Sequence, residues 1–383
     1  AGQVYGLYQE FVIARLRASP WWQAARLDDK VEFVLGGWSG FSYGSDAAST
    51  SPSSQHLTVA AYLGGWDIGE QAQPNVPASF HKLLHVAGRI APRIEKHALE
   101  VRALNSRTGK ALKIGTYEAG PGYALNGLNN DRFTPRQAAE QEQVQKSLAS
   151  GVATLDVFLS QAAHGYQLQN FFTFAAGDYW KSHARWYDGG QAYPAWKALA
   201  SFNQHATGAM IATKTLEVPQ IDLQSAKTSK ITRVPAVAAY ATRNKNRVAV
   251  ILISRKMAGY PDPDDSGFTP VSVDLPFRSA QSITLHRMSG EATAHNLHAD
   301  NVTVETLPLS KLWRGQQLHV DPSTGGAAQG LPPSSVFLYV FEGVDADTAR
   351  PPRSRVRSRQ VRPWARTRIT TLRALSKRCA NAR

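Results

Sequence analysis

From residue 1 to about residue 205 the apolar positions alternate between two spacings. Val4 to Ala18, VYGLYQEFVIARLRA, repeats at the three- and four-residue interval of a helix with one buried face. Lys30 to Trp38, KVEFVLGGW, is a short strand-like run ending in a glycine turn, and His56 to Trp66, HLTVAAYLGGW, repeats that form with the same Gly-Gly-Trp ending. Pro77 to Leu104 returns to helical spacing and is expected to break near Pro92, where the ring removes a donor and crowds the preceding turn. A third strand is expected around Ile114, a long helix from Arg136 to His164 and a fourth strand in YQLQNFFTFAAGDYW. A closing helix is expected over Tyr193 to Gln204, with Pro194 suited to its first turn. Four strand-then-helix units in succession predict parallel strands joined by helical crossovers.

Beyond residue 210 the pattern changes. Val234 to Ser254, then VSVDL, SITLHRM, VTVETL and SVFLYVFE, are short runs rich in Val, Ile, Leu and Thr separated by turn-forming residues, the signature of an antiparallel β-sandwich. The expected fold class is therefore α/β followed by all-β. The first part covers 1–206, a linker 207–230, the sandwich 231–345 and a tail 346–383.

Composition modifies this picture in two places. A chain of 383 residues with 43% hydrophobic residues can bury the cores of two domains, and no run approaches the ~18 apolar residues of a membrane span. The net charge of +14 suggests nucleic acid until it is located: twelve of the 43 Lys and Arg lie in 349–383 beside no acidic residue, leaving 31 basic against 29 acidic side chains elsewhere. The body is near neutral and the tail has the composition of a disordered extension. Nucleic-acid binding through that tail is a minor alternative. Cys379, the one cysteine, also lies there, so the body is expected to hold neither disulfides nor cysteine metal ligands.

Candidate chemistry concentrates at the strand ends. KIGTYEAGPGY, Lys113 to Tyr123, runs from a strand into a turn built on Gly and Pro and leaves Glu118 at the junction. Tyr62, Trp38, Trp66 and Trp180 fall at or just past the ends of the other strands. In a parallel β/α arrangement these ends share one mouth. Aromatic rings there suit a sugar, whose C–H faces pack on indole or phenol.

IGTYEAGPGY, the tyrosine of LTVAAY, FFTFAAGDYW and GGQAYPAWKALASFN together resemble the retaining glycoside hydrolases of clan A, in which a (β/α)8 TIM barrel is often followed by a small β-sandwich. VAAYATRNKNRVAVILIS is similar to the first hairpin of that sandwich, so the resemblance extends over about residues 1 to 345. It implies that 1–206 is the C-terminal half of a barrel, about strands 5 to 8. It also implies that Glu118 is the nucleophile of a double displacement on β-linked glycans, oriented by Tyr62, with Trp180 as a floor for the sugar. Trp38, Trp66, Tyr123, Asn126 and Asp178 are further candidate sugar contacts. The implied partner is an oligo- or polysaccharide, the implied location extracellular or periplasmic, and no cofactor or metal is called for. The chain departs from the family pattern at the second carboxylic acid: the Asn-Glu pair that carries it on strand four occurs nowhere in this sequence, so the acid is expected upstream of Ala1. Glu10 is the nearest acidic residue to that position. A carbohydrate-binding or scaffolding protein without catalysis is the alternative.

The remaining motifs are weaker. DPDDSG, Asp262 to Gly267, has the opening of a calcium loop but Val273 where a bidentate glutamate belongs, and reads better as a surface turn. Asn301 heads a glycosylation sequon. The eleven histidines have no tight zinc spacing, and neither a phosphate-binding glycine loop nor a Gly-x-Ser-x-Gly elbow is present.

Overall fold

A computed structural model describes residues 1–37, 41–63, 74–122, 133–174, 180–224, 231–320, 330–345 and 367–371. Strands β1 (Val34–Gly36), β2 (His56–Tyr62), β3 (Lys113–Gly120) and β4 (Tyr166–Phe171) lie side by side in that order, each neighbouring pair parallel. Helices α1 (Gly2–Arg17) and α2 (Pro20–Ala25) precede β1, and α3 (Phe41–Thr50) lies between β1 and β2. Helices α4 (Pro77–Leu84) and α5 (Val86–Thr108) lead into β3, α6 (Pro135–Gln145) and α7 (Leu148–Ala163) into β4, and α8 (Pro194–His205) follows. Because the strands are parallel, Gly36, Tyr62, Gly120 and Phe171 all end at one edge of the sheet.

Two helix boundaries differ from expectation. The chain turns at His85 and runs helically through Pro92, because Ile90, Ile94, Ala98, Val101 and Leu104 on one face are buried and outweigh a single lost backbone bond. The run Arg136 to His164 is two helices. Ser147 accepts a hydrogen bond from Ser150 N–H at 3.2 Å as the N-cap of α7, while Leu148 N–H bonds Ala294 O at 2.7 Å. A cap and a long-range backbone contact end one helix and start the next.

The second part is built mainly of antiparallel ladders. Strands β14 (Glu305–Ser310), β13 (Ser282–Met288), β17 (Ser335–Glu342), β10 (Arg247–Ser254), β9 (Val237–Asn244) and β5 (Ala209–Ile211) form a six-stranded sheet in that order. One face, with Val250, Leu252, Leu285, Phe337 and Phe341, shares a core with Val271, Val273 and Leu318 of a smaller sheet. The other face, with Tyr240, Ile251, Ile253 and Leu338, packs on the helices of the first part. Burial on both faces explains why VAVILIS and SVFLYVFE are unbroken apolar runs rather than alternating ones.

The smaller sheet has the order β16 (Gln317–His319), β11 (Val271–Asp274), β18 (Thr367–Thr371), β6 (Thr213–Leu216). Two short pairs, β7 (Gln220–Gln224) with β8 (Ile231–Pro235) and β12 (Ser279–Ala280) with β15 (Trp313–Arg314), complete the strands. The stretch 207–230, expected as a linker, thus holds β5, β6 and β7. The tail, expected to be disordered, contributes β18, parallel to β11 and antiparallel to β6. The segment adds there because β11 and β6 offer it two edges.

Helix α7 is buried along nearly its whole length between these layers. Its Asp156 lies fully inside, accepting hydrogen bonds from Arg255 Nε at 2.6 Å, Arg255 Nη2 at 3.1 Å and the Tyr240 hydroxyl at 2.6 Å. No helix among the described residues is long and apolar enough to cross a membrane.

Candidate active site

The position of Glu118 is decided by a bulge. In the pairing of β2 with β3, Leu57 faces Ile114 and Val59 faces Thr116, but Ala60 faces Glu118, so Tyr117 is an extra residue without a partner. Leu57 packs towards Gly44 of α3, which marks its face as the helix side. In unbroken alternation Glu118 would share that apolar side. The bulge turns it to the face of Ala60 and Tyr62, where it is only half-buried.

There the Tyr62 phenol lies close enough to the Glu118 carboxylate to feel its charge. Burial, and after it the negative charge of Glu118, raise the Tyr62 pKa well above its ordinary value. The phenol therefore remains a donor at neutral and moderately alkaline pH. Tyr117 is also shifted upward, first by burial and then by the charge of Glu118 and the proximity of Tyr5.

The glycines after Glu118 let the aromatic rings close in. A Cβ on Gly122 would lie 2.6 Å from Trp180 Nε1 and 2.8 Å from Tyr62 Cδ1, so only a bare Cα fits between the two rings. A Cβ on Gly120 would lie 2.7 Å from the carbonyl oxygen of Phe172. Phe172 joins the rings edge-on, with centroids 6.4 Å from Tyr62 and 6.3 Å from Trp180. Three of the residues singled out in the sequence, Glu118, Tyr62 and Trp180, are thus brought together at the edge where the parallel strands end.

Trp38, Trp66, Tyr123, Asn126 and Asp178 lie outside the described residues. Glu10 lies elsewhere: it accepts hydrogen bonds from Ser51 Oγ at 2.8 Å and Ser53 N–H at 2.9 Å, next to the start of β2 and away from the edge that holds Glu118. In the DPDDSG turn, Asp265 is paired with Lys256 at 2.6 Å and accepts from Gly267 N–H at 2.8 Å. Sequence reasoning missed Phe172 and Gly122. The doubled Phe at the end of β4 and the second glycine of EAGPG were the available signals, but neither carries a chemical group that marks it.

No protein-family model matches the sequence, and no curated protein matches it. Among solved structures, the chain is similar to an α-L-arabinofuranosidase from Thermotoga maritima in complex with arabinose, with TM-score 0.59, 12% identity and coverage of 89% of this chain and 62% of that one. It is also similar to a family 51 α-L-arabinofuranosidase from Bifidobacterium longum, with TM-score 0.56, 14% identity and coverage of 89% and 63%. The chain spans less than two thirds of the length of these structures. The likeness is one of fold: a parallel sheet with helices, followed by antiparallel sheets, as in glycoside hydrolases.

Proposed function

We propose that the protein is a retaining glycosidase that acts on β-linked glycans, with Glu118 as nucleophile. The observation that carries this reading is the bulge that turns Glu118 to the face of Tyr62, at the strand ends where Tyr62 and Trp180 converge on Gly122. A phenol beside the carboxylate can orient it for attack on an anomeric carbon. Trp180 and Phe172 supply apolar surface for a sugar ring. The likeness in fold to glycoside hydrolases supports the same reading.

In this proposal β1 to β4 are strands 5 to 8 of a (β/α)8 barrel, 231–345 is the accompanying sandwich and the enzyme acts outside the cytoplasm. Double displacement needs a second carboxylic acid about 5–5.5 Å from the first. We assign it to the opposite wall of the completed barrel. Val4, Leu7, Tyr8 and Phe11 support that assignment, since these apolar residues recur at helical spacing along α1 and are exposed, as a face awaiting a neighbouring helix would be.

The nucleophile can be tested without the acid. The dinitrophenolate of an activated 2-fluoro glycoside leaves without protonation as the glycosyl carbon bonds the carboxylate, so incubation with β-glucosyl, β-xylosyl and α-L-arabinofuranosyl versions should label the peptide containing TYEAGPGY. The arabinofuranosyl probe is included because the two similar structures are arabinofuranosidases. Glu118→Gln should take no label. Labelling elsewhere, or equal labelling of the variant, would return Glu118 to a structural role.

A further inference from the structure

The ribbon that starts at Trp180 ends in a second pair of aromatic rings. Thr173 N–H bonds Trp180 O at 3.2 Å and Ser182 N–H bonds Thr173 O at 2.9 Å, so the ribbon leaves directly from the site. It then folds back on itself, with Ala184 N–H to Gln191 O at 2.9 Å and Tyr193 N–H to Ser182 O at 2.8 Å. Its tip is a 3-10 turn, Trp186–Asp188, closed by Gly189 and Gly190 at φ of 103° and 66°. Those left-handed values suit glycine. The Gln191 amide donates to the carbonyls of Asn296 and Leu297 at 3.0 and 3.1 Å, which ties the ribbon to the chain beyond β13.

The tip is thus braced, yet its rings lie in water. Trp186 is 87% exposed and Tyr187 58% exposed, with centroids 5.5 Å apart and planes at 82°. Arg185 fixes Tyr187 by donating to its hydroxyl at 2.6 Å. Neither ring is held out by the needs of a core. From Tyr166 to Tyr193 every exposed large hydrophobic among the described residues is aromatic: Phe172, Phe174, Trp186 and Tyr187. The tip rings are flanked by Arg185 and Asp188, which offer a donor and an acceptor to the hydroxyl groups of a sugar.

We propose that Trp186 and Tyr187 form a second carbohydrate platform, which holds the distal part of a long neutral glycan whose near end lies at Glu118. The six residue steps from Trp180 to Trp186 reach at most about 20 Å, a span that an extended oligosaccharide can bridge. The direction of the chain rests on the glycosidase reading of Glu118; the binding at Trp186 does not.

Affinity electrophoresis through gels containing the neutral polymers arabinan, arabinoxylan or hydroxyethylcellulose separates the two. The full chain should be retarded by at least one of these polymers, and Glu118→Gln should be retarded equally. Trp186→Ala, with unchanged circular dichroism, should bind the same polymer about tenfold more weakly or worse, and Tyr187→Ala should also lose affinity. Retardation that survives both substitutions overturns the platform, as does the absence of retardation by every polymer. So does a self-association, measured by sedimentation, that Trp186→Ala abolishes while glycan binding persists. Failure of Glu118 labelling leaves these readouts intact and bears on the nucleophile alone.

Discussion

Arg255 and Asp156 meet in a fully buried ion pair where α7 crosses the six-stranded sheet, two guanidinium nitrogens donating to one carboxylate. Tyr240 adds a third donor from β9, so both carboxylate oxygens are satisfied. Asp156→Ala would leave a buried cation without its partner and should cost about 3–5 kcal/mol in denaturant unfolding. Replacing Asp156 and Arg255 together by apolar residues should cost less than the sum of the single changes, which a double-mutant cycle measures.

Gly122→Ala tests the packing at the candidate site. The added methyl would collide with Trp180 and Tyr62 and push both rings away from Glu118. We expect 2-fluoro glycoside labelling to slow by about tenfold or more, with melting temperature changed by only a few degrees. Labelling at the original rate would mean that the two rings do not define the site.

The Tyr62 titration reports the contact with Glu118. Glu118→Gln removes the negative charge that raises the phenol pKa, so that pKa should fall towards its ordinary value. Selective ¹³C labelling of tyrosine and an alkaline NMR titration would follow it. A Tyr62 signal that titrates identically in both proteins would argue against that contact.

Acid should destabilise the fold through buried histidines. Burial holds His81, His97 and His286 down at about 4 and His85 at about 3. The unfolded chain binds these protons at about pH 6.5. Their stabilisation is therefore complete above about pH 6.5 and is lost progressively as the pH falls towards 4. Melting temperature measured between pH 7.5 and 4 should decline over that window, and less steeply in His85→Leu.

The strand in the basic tail makes truncation informative. Ending the chain after residue 366 would remove β18 from between β11 and β6, exposing two strand edges, and should lower the melting temperature by several degrees. Ending it after residue 371 should leave the melting temperature unchanged. Equal melting of the two truncations would mean that Thr367–Thr371 adds nothing to the sheet.

Local pattern alone was enough to read the succession of strands and helices to about residue 205, the β-rich second part, and Glu118, Tyr62 and Trp180 as a group at strand ends. Each of those follows from the spacing of apolar side chains, or from a resemblance carried by short contiguous motifs. Tertiary structure decided what depends on distant partners. The bulge at Tyr117 turns Glu118 from the apolar side of the sheet, and it exists only in the register between β2 and β3. Gly122 matters because Tyr62 and Trp180, 60 and 58 residues away, converge on its Cα. The helix continues through Pro92 because its buried face compensates for the missing bond, and Thr367–Thr371 finds two strand edges that composition could not reveal. Periodicity reports which side of an element is apolar, but the surface that meets that side belongs to residues far along the chain.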